Sequence, residues 1–176
     1  MISMLTALFA IPDQYGQTYP VNSQYQQNAP TNPTNTQYQI VVPTLKYMVH
    51  IKDSGDTGYF PQPQFAGTRG QNKRLEGFSI SVASGQVDLE YMAHIENTGD
   101  TAWTPLNTFI GTKGQSLRLE GFAIRLKPQY ANLYDIFYMC HVENQGDSQW
   151  YKNGDFCGTR GQSLRVEGLA IYIQQK

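Results

Sequence analysis

Charge is scarce in this chain. Only 15% of its 176 residues are Asp, Glu, Lys or Arg, and 13 basic against 14 acidic residues leave a formal net charge of −1. That excludes the basic footprint of a nucleic-acid binder and any polybasic membrane patch. Long apolar runs are missing too: nothing approaches the ~20 residues that span a bilayer. The apolar start, Met1–Ala10, lacks the positive flank of a secretory leader, since the first Lys or Arg is Lys46. Met1–Ile11 is expected instead to be a short apolar anchor, helical in form. Cysteine is limited to Cys140 and Cys157, in no metal-type spacing. Their counterparts elsewhere in the chain are small or apolar (Val49 and Ala66, Ala93 and Ile110), so two core thiols are expected, with a disulfide as the alternative if their strands pair.

What is present is one pattern written three times. Tyr-Met-x-His-hydrophobic, Gly-Asp, an aromatic, and Phe-x-Gly-Thr-x-Gly-Gln-x-x-Arg-hydrophobic-Glu-Gly recur over residues 47–82, 91–126 and 138–173. His50 and His94 lie 44 residues apart, and His94 and His141 lie 47 apart. Such a period implies stacked or cyclically closed supersecondary units. Tyr47–Ile51, Tyr91–Ile95 and Tyr138–Val142 read as short strands bounded by Gly-Asp turns. Arg74–Val82, Arg118–Leu126 and Arg165–Ile173 alternate apolar and polar residues, which also reads as strand. The glycine after each Glu (Gly77, Gly121, Gly168) marks a bulge or a close backbone approach. The fold class is therefore all-β: a pseudo-threefold, β-prism-like domain with one antiparallel sheet per repeat, or alternatively a β-trefoil. The units span about 44–88, 89–133 and 134–176.

Residues 11–39 differ in texture. They carry a single charge, Asp13, and are rich in Gln, Asn, Pro, Thr and Tyr with no apolar period. A segment of this kind is extended or disordered alone, and ordering it costs about 1–2 kcal/mol per residue of backbone entropy. Residues 1–43 are accordingly expected to act as an N-terminal anchor and arm that engages protein subunits of a larger assembly, or else drapes over its own domain.

The repeat resembles the clostridial hydrophobic W (ChW) family. The residues that carry the resemblance are His94, Gly99 and Trp103, and His141, Gly146 and Trp150, each followed by Gly-Thr-x-Gly-Gln-Ser-Leu-Arg. The first repeat departs, with Tyr59 in place of Trp and Asn72-Lys73 in place of Ser-Leu. The resemblance implies surface-exposed, non-catalytic modules of Gram-positive bacteria and their phages, associated with adhesion or carbohydrate binding. The Gly-rich loop and following Leu-Glu strand are also faintly similar to those of jacalin-type β-prism lectins.

Three kinds of residue bear on function. Tyr59, Trp103 and Trp150 offer ring faces on which a sugar stacks, and Asp56, Asp100 and Asp147, three residues earlier, offer hydroxyl acceptors. The competing reading plugs each aromatic into the core. The three histidines read as hydrogen-bonded structural residues rather than zinc ligands, because convergence of their rings would be needed. Arg74–Glu76, Arg118–Glu120 and Arg165–Glu167 read as same-face ion pairs. Threefold repetition of a hydrolytic acid pair is not expected, so the protein is read as a non-enzyme without cofactor or metal. The expectation is a lectin-like module for a cell-surface glycan, at an extracellular or virion surface, gaining avidity from three copies and from homo-oligomers. The alternative is a structural decoration or fibre protein of a phage virion or similar particle.

Overall fold

The computed structural model describes residues 8–12, 18–22, 42–83 and 85–176. They fall into two units, Met1–Ile40 and Val41–Lys176. In the first, β1 (Leu8–Pro12) and β2 (Thr18–Asn22) pair antiparallel. The helix expected at Met1–Ile11 is thus corrected over its described part. Phe9, Ile11, Tyr19 and Val21 are strand formers, and Pro12 stops a helix from running on. The rest of the arm lies outside the described residues.

The second unit repeats one sequence of strands. The first repeat holds β3 (Leu45–Ile51), β4 (Gly55–Asp56), β5 (Phe60–Pro61), β6 (Ala66–Gly67) and β7 (Leu75–Val82). The second holds β8 (Leu89–Ile95), β9 (Gly99–Asp100), β10 (Thr104–Pro105), β11 (Ile110–Gly111) and β12 (Leu119–Leu126). A single helical turn, α1 (Pro128–Ala131), leads to the third: β13 (Tyr134–Val142), β14 (Gly146–Asp147), β15 (Tyr151–Lys152), β16 (Cys157–Gly158) and β17 (Val166–Gln175). In each repeat the two long strands pair antiparallel, with the two short ones that follow the first long strand added to its outer edge.

The third short strand of each repeat goes elsewhere. β11 of the second repeat pairs with β7 of the first, β16 of the third with β12 of the second, and β6 of the first with β17 of the third. Each repeat lends an edge strand to the sheet before it, and the last lending closes the ring. Three separate five-stranded antiparallel sheets result. No barrel is formed, so the prism-like arrangement stands and the trefoil alternative is corrected: the strands stay in one sheet per repeat because the exchanged edge is only two residues long.

Alternation along the long strands builds a common core. Tyr47, Tyr91, Tyr138, Phe78, Phe122, Ile80, Ile124 and Ile171 are fully buried. Rings from all three repeats meet there: the Phe78–Tyr91 and Phe78–Phe122 centroids are 5.3 Å apart and Phe122–Tyr138 5.7 Å. Each core tyrosine also stitches repeats together. The Tyr91 hydroxyl donates to Thr108 O at 2.5 Å and accepts from Ile80 N of the first repeat at 3.3 Å. Tyr47 likewise accepts from Ile171 N of the third repeat. Burial pushes the Tyr138 phenol up to about 12 and raises that of Tyr91, so these two hydroxyls stay protonated and keep both bonds.

The expectation of free core thiols is overturned. Cys140 on β13 and Cys157 on β16 form a disulfide with Cα atoms 6.2 Å apart. Both side chains point inward, and the bond occupies the volume that buried Val49 with Ala66, and Ala93 with Ile110, fill in the other repeats.

Candidate functional site

The Glu-Gly dipeptides explain how the repeats join. Opposite His50, β7 skips Glu76 in the pairing register, and the same irregularity recurs opposite His94 and His141. The bulge turns Glu76, Glu120 and Glu167 into buried positions, 3–4% exposed. It also brings each following glycine against the lent strand. A Cβ on Gly77 would overlap the Phe109 ring, one on Gly121 the Phe156 ring, and one on Gly168 the Phe65 ring. Gly111, at φ +121°, approaches the Glu76–Gly77 backbone just as closely. The backbone N–H groups of Thr68, Thr112 and Thr159 donate to the carbonyls of Glu167, Glu76 and Glu120 at 2.8 Å.

A charged chain lies on this junction. His50 Nδ1 donates to Asp56 Oδ1 at 2.5 Å, and the equivalent bonds of His94 with Asp100 and His141 with Asp147 are 2.5 and 2.6 Å. Ionised Asp only accepts, so Nδ1 carries the proton. The other ring nitrogen faces the buried glutamate, at 3.9 Å for His50–Glu76 and for His94–Glu120. Each glutamate is bonded to its arginine: Arg74–Glu76 at 2.7 Å, Arg118–Glu120 and Arg165–Glu167 at 2.8 Å. Each aspartate takes a cation from the neighbouring repeat: Lys113 on Asp56 at 2.6 Å, Arg160 on Asp100 and Arg69 on Asp147 at 3.0 Å. Those cations are the variable residue of Gly-Thr-x-Gly, and they also cover the junction phenylalanines, Arg69 over Phe65 at 3.6 Å, Lys113 over Phe109 at 4.4 Å and Arg160 over Phe156 at 3.5 Å. Lys113 and His50 lower Asp56, and Arg160 leads the lowering of Asp100. Burial raises Asp147, but Arg69 and His141 outweigh it and the net direction is down.

The aromatics stand elsewhere. Asp56 pairs with His50, whereas Tyr59 lies beside Lys46 at the other end of β3, with its ring 4.8 Å from Nζ. Asp56 lies opposite His50, whereas Phe60, next to Tyr59, lies opposite Tyr47, so the two side chains stand toward different ends of β3. Each Asp therefore belongs to a junction, while Tyr59 and Trp103 stand toward the other end of the outer sheet face and Trp150 packs on a cluster that includes the junction's Phe65. Tyr59 is 52% exposed. Trp103 is half-buried under the Arg125 guanidinium at 3.9 Å. Trp150 is half-buried on a small cluster of Phe65, Met139 and Ala170, apart from the main core. The histidines do not converge, and among the described residues no His, Cys, Asp and Glu cluster could hold a metal ion.

The clostridial hydrophobic W model matches residues 50–83, 94–128 and 141–175. The chain belongs to the clostridial hydrophobic W family. Nothing among curated proteins or solved structures matches it. Two features of this ChW protein escaped the sequence reading. One is the cation between repeats, although a basic residue at all three positions Arg69, Lys113 and Arg160 was a visible signal. The other is the outer-face row that ends each sheet. It holds Lys46 opposite Ser81, Glu90 opposite Arg125, and Phe137 opposite Tyr172. Because those residues differ among repeats, no repeat comparison drew attention to them.

Proposed function

We propose that the three-repeat domain is a non-catalytic, lectin-like adhesion module that binds glycan on a cell surface. The observation that carries this is the division of labour on each sheet. The polar residues with catalytic potential are tied into ion pairs at the junctions, while Tyr59, Trp103 and Trp150 remain outside the main core. Half-exposed aromatics beside polar groups are the usual composition of a ligand face. Threefold presentation suits weak single sites combined by avidity. The family is one of surface-associated repeats, and the Cys140–Cys157 disulfide fits an oxidising, extracellular setting.

Attachment to a parent assembly is assigned to residues 1–43. A two-stranded hairpin such as β1–β2 is marginal in water by itself, which favours a protein neighbour for it. A virion decoration or fibre protein would use the same arm, and an adhesin on such a particle would be both. Retention of the full-length protein on purified Gram-positive cell walls tests the binding reading. Trp103→Ala with Trp150→Ala should weaken retention while far-UV circular dichroism and Tm hold. Unfolding in place of selective loss would return both tryptophans to a structural role, and no retention of the native protein would refute glycan binding.

A further inference from the structure

The outer-face row distinguishes the three repeats. In the first, Lys46 lies over Tyr59. In the second, Arg125 covers Trp103 and pairs with Glu90, which Lys127 also holds. In the third, the row is aromatic. Phe137 and Tyr172 stack across the strands, centroids 4.9 Å apart and planes 11° from parallel, and Trp150 stands at 75° to Tyr172 with centroids 4.9 Å apart. An ion pair would serve the sheet as well as this pair, since either contributes about 0.2–1 kcal/mol across strands. Three half-exposed rings in one place therefore ask for another reason.

The neighbouring row supplies one. Asp135 lies opposite Gln174, two residues along from Phe137 and Tyr172 and on the same face. Asp135 Oδ1 accepts from Asn153 Nδ2 at 2.6 Å and meets Lys176 Nζ at 3.3 Å. These bonds fix the carboxylate, and no described residue bonds Oδ2. The Tyr172 hydroxyl also has no hydrogen-bond partner among the described residues, unlike those of Tyr47, Tyr91 and Tyr138, which each bridge backbone groups. Burial raises the Tyr172 phenol, so it remains a donor. The rows are about 7 Å apart. That fits one saccharide ring and is narrower than the ~10 Å of a helix.

We propose that the outer face of the third sheet is the principal saccharide subsite of this chain. It takes an uncharged pyranose whose C–H groups lie along the edges of the stacked Phe137 and Tyr172 rings, and whose hydroxyls bond Asp135 Oδ2 and the Tyr172 phenol. The proposal rests on the glycan-binding reading and locates it. Lys176 pairs with Asp135 and Lys152 Nζ stands 5.9 Å from the Phe137 centroid, at the rim, while the carboxylate oxygen that meets the sugar disfavours an anionic one.

The test is titration of the full-length protein with cellohexaose, chitohexaose and hexagalacturonate, followed by NMR of its two indole N–H signals and by calorimetry. Either neutral sugar should shift the Trp150 signal and leave Trp103 in place. Tyr172→Phe and Asp135→Asn, which remove one bonding group each without changing volume, should raise Kd about 5- to 10-fold. Phe137→Ala should raise it further, and Trp103→Ala should leave it unchanged. If Trp103 shifts and Trp103→Ala loses binding while Tyr172→Phe is neutral, glycan binding stands and the third-sheet assignment falls. Tighter binding of hexagalacturonate overturns the uncharged ligand. If no sugar moves either indole up to about 10 mM, where even a site of ~1 mM would saturate, both readings fall.

Discussion

At the junctions the three repeats are copies of one another, and at the outer ends of the sheets they are not. Glycine, phenylalanine, cation, aspartate, histidine, glutamate and arginine recur in the same order at each junction, with bond lengths that agree within a few tenths of an ångström. Four strand positions away, the same sheets carry Lys46·Ser81, Glu90·Arg125 and Phe137·Tyr172. The junction is overdetermined: its glycine, phenylalanine, cation and aspartate each meet a group of another repeat, so a change in one must be met in the next. The outer row touches solvent and neighbours of its own repeat, and is free to vary. Sameness in this ChW protein thus marks what closes the fold, and difference marks where function can be placed.

The largest expected effect breaks a junction. Gly111→Ala puts a Cβ into the Glu76–Gly77 backbone at a φ of +121°, and should cost about 3 kcal/mol or more in urea unfolding. Near-wild-type stability would show that the lent strand is dispensable. Next comes the element that only one junction possesses. Cys140→Val with Cys157→Ala copies the packing of Val49 and Ala66, so it removes the cross-link alone. With the cysteines 17 positions apart, the loss should be near 3 kcal/mol, and an unchanged Tm would show that packing suffices.

Tyr91→Phe strands Ile80 N–H and Thr108 O in the core. It should lower stability by about 1–3 kcal/mol, with Tyr47→Phe and Tyr138→Phe matching it if the repeats are equivalent; a large spread among the three would break the equivalence. Acid probes all junctions together. Asp56, Asp100 and Asp147 lie below their ordinary value of 3.8 in the fold. Their stabilisation is complete above that value and is lost as pH falls through the lower folded values. Unfolding free energy should therefore drop below about pH 4, and Asp147→Asn should flatten the profile. The smallest effect belongs to the outer row: Arg125→Ala exposes a half-covered ion pair and should cost under about 1 kcal/mol.

Much of this was legible in the sequence. The period named three equivalent units, alternation placed the long strands, and Gly77, Gly121 and Gly168 were correctly suspected of bulges and close approach. The disulfide was misjudged because Val, Ala and Ile at the equivalent positions argued for packing, and packing and bonding ask the same proximity of two side chains. Trp103 and Trp150 stood between core and surface in the sequence for a similar reason: a ring at a strand end is apolar whichever way it faces.

Strand period, turn glycines and the threefold repeat were settled by the sequence alone, because they depend on neighbours within one unit. Only the tertiary structure decided which unit lends its edge strand to which, and so which cation meets which aspartate. Those pairings join segments 57 to 78 residues apart, and their direction is set by closure of the ring rather than by any local preference. Pairing within the third sheet brought Phe137, Trp150 and Tyr172 together. No spacing rule links them, because they come from two strands and the loop before β15, whose register exists only once the third sheet has formed.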